Sequence, residues 1–209
     1  MTDDIRRPTR FSNDWFDRVE GDVDPAVRLQ LASETAQALL ARVRGGADPE
    51  VVERILRLAR EDGIDTVAEL WSHARPHSLP GALWRVHLLH VLVTQRAEEA
   101  ALLYQAGADA LPTAAPVIAG IASPATPDEV RGLSEAILRG VFAGDFALAL
   151  DRAAAFAVVT GAGAVRAAHD DETTDAQRAR ARTRMAASLT DIADDLRACA
   201  RLWRGDALA

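Results

Sequence analysis

The chain has 209 residues, an apolar fraction of 49%, a charged fraction of 26% and a net charge of −7. This length supports one substantial core, and the composition excludes wholesale disorder. The acidic balance disfavours nonspecific nucleic-acid binding, and the absence of lysine excludes Schiff-base and lysine-nucleophile chemistry. Ala and Leu dominate and no hairpin turn or sustained alternation appears, so the expected fold is all-α. The expected architecture is a single-domain bundle of about seven helices around a central, buried fourth helix.

Residues 1–23 read as an irregular arm, in which Phe11, Trp15 and Phe16 are spaced to dock onto the body of the protein. The all-helical domain then spans 24–209. The arm has no apolar run of the kind a secretory signal needs, and with Cys199 as the sole cysteine no intrachain disulfide forms; both fit a cytoplasmic setting. Asp24-Pro25 opens the first helix, which stops at Gly45-Gly46. Asp48-Pro49 opens a second, with Val52, Ile55, Leu56 and Ala59 on one face, ending near Gly63. A short third helix covers about 65–74.

Pro76, Pro80 and Gly81 break the chain, and Ser78 caps a long fourth helix reaching about Ala106. Residues 111–127 form a proline-rich loop anchored by Val117, Ile118 and Ile121. Thr126-Pro127-Asp128-Glu129 is a capping box that starts the fifth helix, which ends at Gly144. Asp145 caps a sixth, expected to fade around Gly161 and Gly163. Its most apolar run, 153–165, is shorter than the roughly 20 residues of a membrane span and reads as a buried small-residue helix. A capping box at Thr174-Asp175-Ala176-Gln177 opens the last helix. Met185, Leu189, Ile192, Leu196, Cys199 and Trp203 recur on it at steps of four and three. This coiled-coil-like seam packs within the domain or serves as an oligomer seam against a second copy.

Four of the five histidines lie between Trp71 and His90. His87, His90, Thr94 and Glu98 follow at helical steps, a polar stripe on an otherwise apolar helix. Two imidazoles three residues apart on a helix can face one ion, so His87, His90 and Glu98 are candidate ligands for a divalent metal such as zinc or manganese. The spacing lacks the paired His and Glu of a zincin helix. Arg85, Thr94 and Arg96 are candidate ligand- or partner-binding residues. His169-Asp170 resembles the dipeptide of helical HD-type phosphohydrolases, which would recruit His73, His87 or His90 and Asp191 or Asp194. In an acidic segment before a helix, the dipeptide is equally accounted for by the helix dipole. Arg178, Arg180, Arg182 and Arg184 alternate over two helix faces and read as a solvated face, with a phosphate or acidic partner as the minor alternative. Gly161-Ala162-Gly163 lacks the strand and third glycine of a dinucleotide loop. Gly144-Asp145-Phe146 with Ala149-Leu150 resembles the turn of a tetratricopeptide repeat but has no second copy, and reads as a helical hairpin.

The runs FSNDWFDRV (11–19), LPGALWR (79–85) and ILRGVFAGDFALALDRAAAF (137–156) resemble a group of short all-helical actinobacterial proteins. Some members carry a name borrowed from the RNA polymerase β subunit, a far longer and strand-rich protein. The resemblance implies a cytoplasmic actinobacterial setting and implies no mechanism. With no complete catalytic constellation, the leading expectation is a non-enzymatic interaction or regulatory module, working through a protein partner or self-association. A metal-dependent hydrolase at the His87/His90 stripe and a helical pocket for a small ligand are the alternatives.

Overall fold

In a computed structural model the chain is described over residues 25–43, 70–111, 126–143 and 145–209. Six helices lie in these segments, and among the described residues there is no strand. They are α1 (Pro25–Val43), α2 (Leu79–Gln95), α3 (Ala97–Ala110), α4 (Pro127–Ala143), α5 (Phe146–Asp171) and α6 (Ala176–Arg204). The expected arm at 1–23, the second helix, the start of the third and the loop anchors Val117, Ile118 and Ile121 lie outside the described residues.

Local sequence explains most helix starts. The Ser78 hydroxyl accepts from the Gly81 N–H at 3.2 Å, and Pro80 occupies the first turn of α2. Thr126 and Glu129 form the reciprocal box at α4: Glu129 N–H donates to Thr126 Oγ1 at 3.2 Å, and Thr126 N–H donates to Glu129 Oε2 at 2.7 Å. Asp145 caps α5 by accepting from Leu148 N–H at 3.0 Å. At α6 the cap falls on Asp175, one residue later than the expected Thr174, with Asp175 Oδ1 accepting from Arg178 N–H at 2.9 Å.

Two expectations change. The predicted fourth helix is two helices, interrupted at Arg96 (φ −139°, ψ 47°), which closes α2 and opens α3. No glycine or proline forces this break. Redirecting the chain lets α2 bury Val86, Leu89 and Val93 while α3 buries Ala97, Ala100, Ala101 and Tyr104. Glu98 and Glu99 fall in the first turn of α3, where the helix dipole favours acids. Second, the sixth predicted helix does not fade at Gly161 and Gly163. It runs to Asp171 as the 26-residue α5, and it is this helix, not the histidine-bearing one, on which the bundle centres.

The small residues of α5 allow that position. A Cβ placed on Gly163 would lie 1.7 Å from the Leu103 carbonyl oxygen, and one on Gly107 would lie 1.8 Å from that of Val159. Thus α3 and α5 cross antiparallel with backbone against backbone. On another face Gly161 approaches Ala186 and Leu189 of α6, where a Cβ would find ordinary contact at 3.4 Å. By length and composition α5 is apolar enough to cross a membrane, and 67% of its most apolar window is buried within the bundle. Phe146, Leu150 and Phe156 are fully buried, each contributing about 1.5–3 kcal/mol. Phe156 stacks on Tyr104 of α3 and Phe146 tilts against Trp203 of α6, with ring centroids 5.7 and 4.7 Å apart.

The seam of the last helix is spent inside the chain. Leu189, Leu196 and Cys199 are buried, and Met185, Ile192 and Trp203 pack partly buried against the same core. Of the two uses expected of this seam, packing within the domain is the one the fold displays, with α5 against it.

Two stability tests follow from this packing. Gly163→Ala is expected to cost about 3 kcal/mol or more, because the clash is with backbone and no side chain can yield. Gly132→Ala, on α4 with nothing among the described residues within 4 Å of the added Cβ, is expected to stabilise by about 0.5–1 kcal/mol. Urea denaturation of both variants measures the contrast; equal effects would contradict the crossing. Thr160 Oγ1 is fully buried on α5 without a hydrogen-bond partner among the described residues. Thr160→Val, which keeps the shape and removes the unsatisfied hydroxyl, is therefore expected to raise stability by about 1 kcal/mol in the same assay.

Candidate functional site

The histidine stripe divides once the helices are in place. His90 is half-buried and faces α4, where its Nδ1 lies 2.9 Å from Ser134 Oγ. Ser134 is buried, and the pair borders Val86, Leu89, Val130, Ile137 and Phe156. The space beside it is about 10 Å³, room for one water at most. A serine beside an imidazole has the elements of a nucleophile and base. Here, however, the serine sits mid-helix, where backbone N–H groups are committed to the helix ladder rather than to a developing oxyanion. The pair satisfies the buried Ser134 hydroxyl and the half-buried His90 ring, and it links α2 to α4. Ser134 carried no signal in the sequence, since nothing there links it to His90.

His87 is half-buried and stacks on Trp84 of its own helix, with centroids 5.6 Å apart. Thr94 Oγ1 donates back to the His90 carbonyl oxygen at 2.9 Å, and Glu98 lies exposed beyond the break at Arg96. His87, His90 and Glu98 are thus not brought together as a ligand set. Their expected common stripe required one continuous helix. Among the described residues no group of three His, Cys, Asp or Glu side chains is arranged to hold a metal ion. His169 and Asp170 are exposed near the end of α5, with His169 Nδ1 3.5 Å from Glu172 Oε2. They do not assemble a phosphohydrolase centre with His73, His87, His90, Asp191 or Asp194.

Arg85, a candidate for ligand binding, is engaged within the fold. Its Nε donates to Asp195 Oδ2 of α6 at 2.7 Å and its Nη1 to the Gly81 carbonyl oxygen at 2.9 Å. His77 Nε2 lies 3.0 Å from the other Asp195 oxygen. Asp195 therefore ties the proline-broken corner to α6. The same corner accepts other contacts. Leu79 N–H donates to the Ala209 carbonyl oxygen at 2.9 Å, and Trp71 Nε1 donates to Thr35 Oγ1 of α1 at 3.2 Å. Trp71 is buried and Trp84 packs against the core, as expected of packing anchors.

Cys199 faces this corner, with Sγ 3.4 Å from the Pro76 carbonyl oxygen. Burial pushes its thiol up to about 11, with Asp195 adding in the same direction and Arg85 opposing. The thiolate fraction near neutral pH is therefore very small, and Cys199 is a core residue. An aromatic disulfide reagent at pH 8 is expected to leave the native protein unlabelled and to titrate one thiol per chain after denaturation. Rapid labelling of the native chain would contradict this placement.

At the opposite end of α5, Asp171 is nearly buried and receives Arg182 Nη1 at 2.6 Å. Arg182 also donates to the Ala167 carbonyl oxygen at 3.1 Å. Arg178 stands farther off, 4.0 Å from Asp171 and 3.6 Å from Asp175. The alternating arginines accordingly differ: Arg180 and Arg184 are exposed, while Arg182 is structural.

No family model matches the chain, and comparison with curated proteins and with solved structures gives no significant match.

Proposed function

We propose that the chain is a non-enzymatic protein-interaction module of the cytoplasm, built as one helical domain. The observation that supports it is the exposure of large apolar side chains at the α3–α5 crossing. Leu102 is 73% exposed and Val165 60% exposed. Leu102 precedes the residue whose carbonyl oxygen meets Gly163, and Val165 follows that glycine by two residues. Leu102 and Val165 therefore expose apolar groups on two helices that the crossing holds fixed relative to each other. Exposed apolar groups on a rigid frame are what a partner protein buries first. The actinobacterial setting rests on the sequence resemblance, and the cytoplasmic one on that resemblance and on the sequence signals given with it.

A photo-cross-linking residue at position 102 or 165, introduced in cells, is expected to trap the same protein partner from both positions. The same residue at exposed Arg131 on α4 is expected not to trap it. Absence of a shared adduct, or recovery in lipid alone, would overturn the proposal.

A further inference from the structure

A cleft of about 320 Å³ opens where the start of α3 meets the arginine-bearing face of α6. Arg96 and Glu99 form one wall, Arg178 and Arg182 the other, and Ala181 and Met185 the floor. Three guanidinium groups from two helices thus border one space large enough for a small ligand. They are held unequally. Arg182 is anchored by Asp171 at 2.6 Å and by the Ala167 carbonyl oxygen, and its Nε is buried without a hydrogen-bond partner among the described residues. Arg96 and Arg178 are 63% and 60% exposed and make only long contacts, 3.4 Å to Glu99 and 3.6 Å to Asp175. Other arginine–carboxylate pairs close to 2.7 Å, as in Arg131 with Asp128, although exposed Arg197 with Asp194 stays at 3.5 Å. Exposed pairs of such length are worth little, so both guanidinium groups are cheap to redirect. The N-cap of α3 makes no side-chain hydrogen bond, but Glu98 and Glu99 in the first turn already meet that helix dipole, so the arginines alone supply the positive charge of the cleft.

We propose that this cleft binds a small soluble oxyanion carrying at least two negative charges. Two charges are required because the ligand must draw Arg96 and Arg178 from carboxylates that each carry one. Arg182 supplies a fixed donor, and Arg96 and Arg178 close on the ligand with the forked hydrogen bonds that guanidinium groups make to phosphate and carboxylate oxygens. The overall charge of −7 opposes approach at long range, but at physiological salt that field is screened beyond about 8 Å and the local arginines dominate. The site does not depend on the proposed protein partner.

Isothermal titration calorimetry of the full chain with pyrophosphate, and separately with citrate, tests it. At least one probe is expected to bind with a stoichiometry of one. Arg96→Ala combined with Arg178→Ala is expected to weaken that binding roughly tenfold or more, and Arg131→Ala to leave it unchanged. Preference for pyrophosphate assigns the ligand to phosphate esters and preference for citrate to polycarboxylates. Because both replaced arginines are exposed, the double variant is expected to keep the wild-type melting temperature, measured by circular dichroism. No heat from either probe, or equal affinity in the double variant, would overturn the proposal.

Discussion

The backbone contact between α3 and α5 is the constraint on which the rest of the bundle depends. At Gly107 and Gly163 no side chain separates the two helices. The closeness brings Tyr104 onto Phe156 and places Leu103 beside Ala164 and Ala186 of α6. It also fixes where α3 begins, and so where Arg96 and Glu99 stand relative to Arg178 and Arg182. A helix with larger residues at these points would hold its neighbours farther away, and the exposed Leu102 and the arginine cleft would both be displaced.

The polar groups divide by role. Asp195 gathers Arg85 and His77 at one corner, Asp171 holds Arg182 at the other end of α5, and His90 holds Ser134 between them. These half-buried pairs join helices that the apolar core alone would leave free to slide. Breaking one partner of such a pair costs more than the pair contributes, which makes them specifiers of register. Among the described residues, what the fold exposes to other molecules includes the apolar Leu102 and Val165 and the loosely paired Arg96 and Arg178.

Helix starts were legible because a cap is a local event. Ser78, the Thr126–Glu129 box and Asp145 each satisfy N–H groups within a few residues, so their spacing alone reveals them. The heptad-like seam of α6 was legible for the same reason, although its partner was not. Two features were hidden. The break at Arg96 has no breaker residue; tertiary packing imposes it, and only the acidic pair Glu98-Glu99 hints at a new first turn. Gly161 and Gly163 read as helix-ending by propensity, since glycine in a helix costs about 1 kcal/mol. Packing outweighs that cost when the missing Cβ admits another backbone. The histidine stripe failed with the break, because a periodicity carried across Arg96 assigned His87 and Glu98 to one face. Ser134 and the Arg96–Arg178 juxtaposition are long-range pairings, on which spacing is silent.

The α3–α5 crossing also bears on how the chain acquires its shape. Leu103 meets Gly163, and Gly107 meets Val159, across some fifty to sixty intervening residues. Such a contact closes a long loop, so its entropic cost falls due before most of its reward. The hairpin of α5 with α6 needs no such closure. It joins two long helices through a short turn, and Asp171 N-terminal to that turn already reaches Arg182 beyond it. The order of assembly this implies is α5 with α6 first and α3 afterwards, its glycine finding a groove already formed.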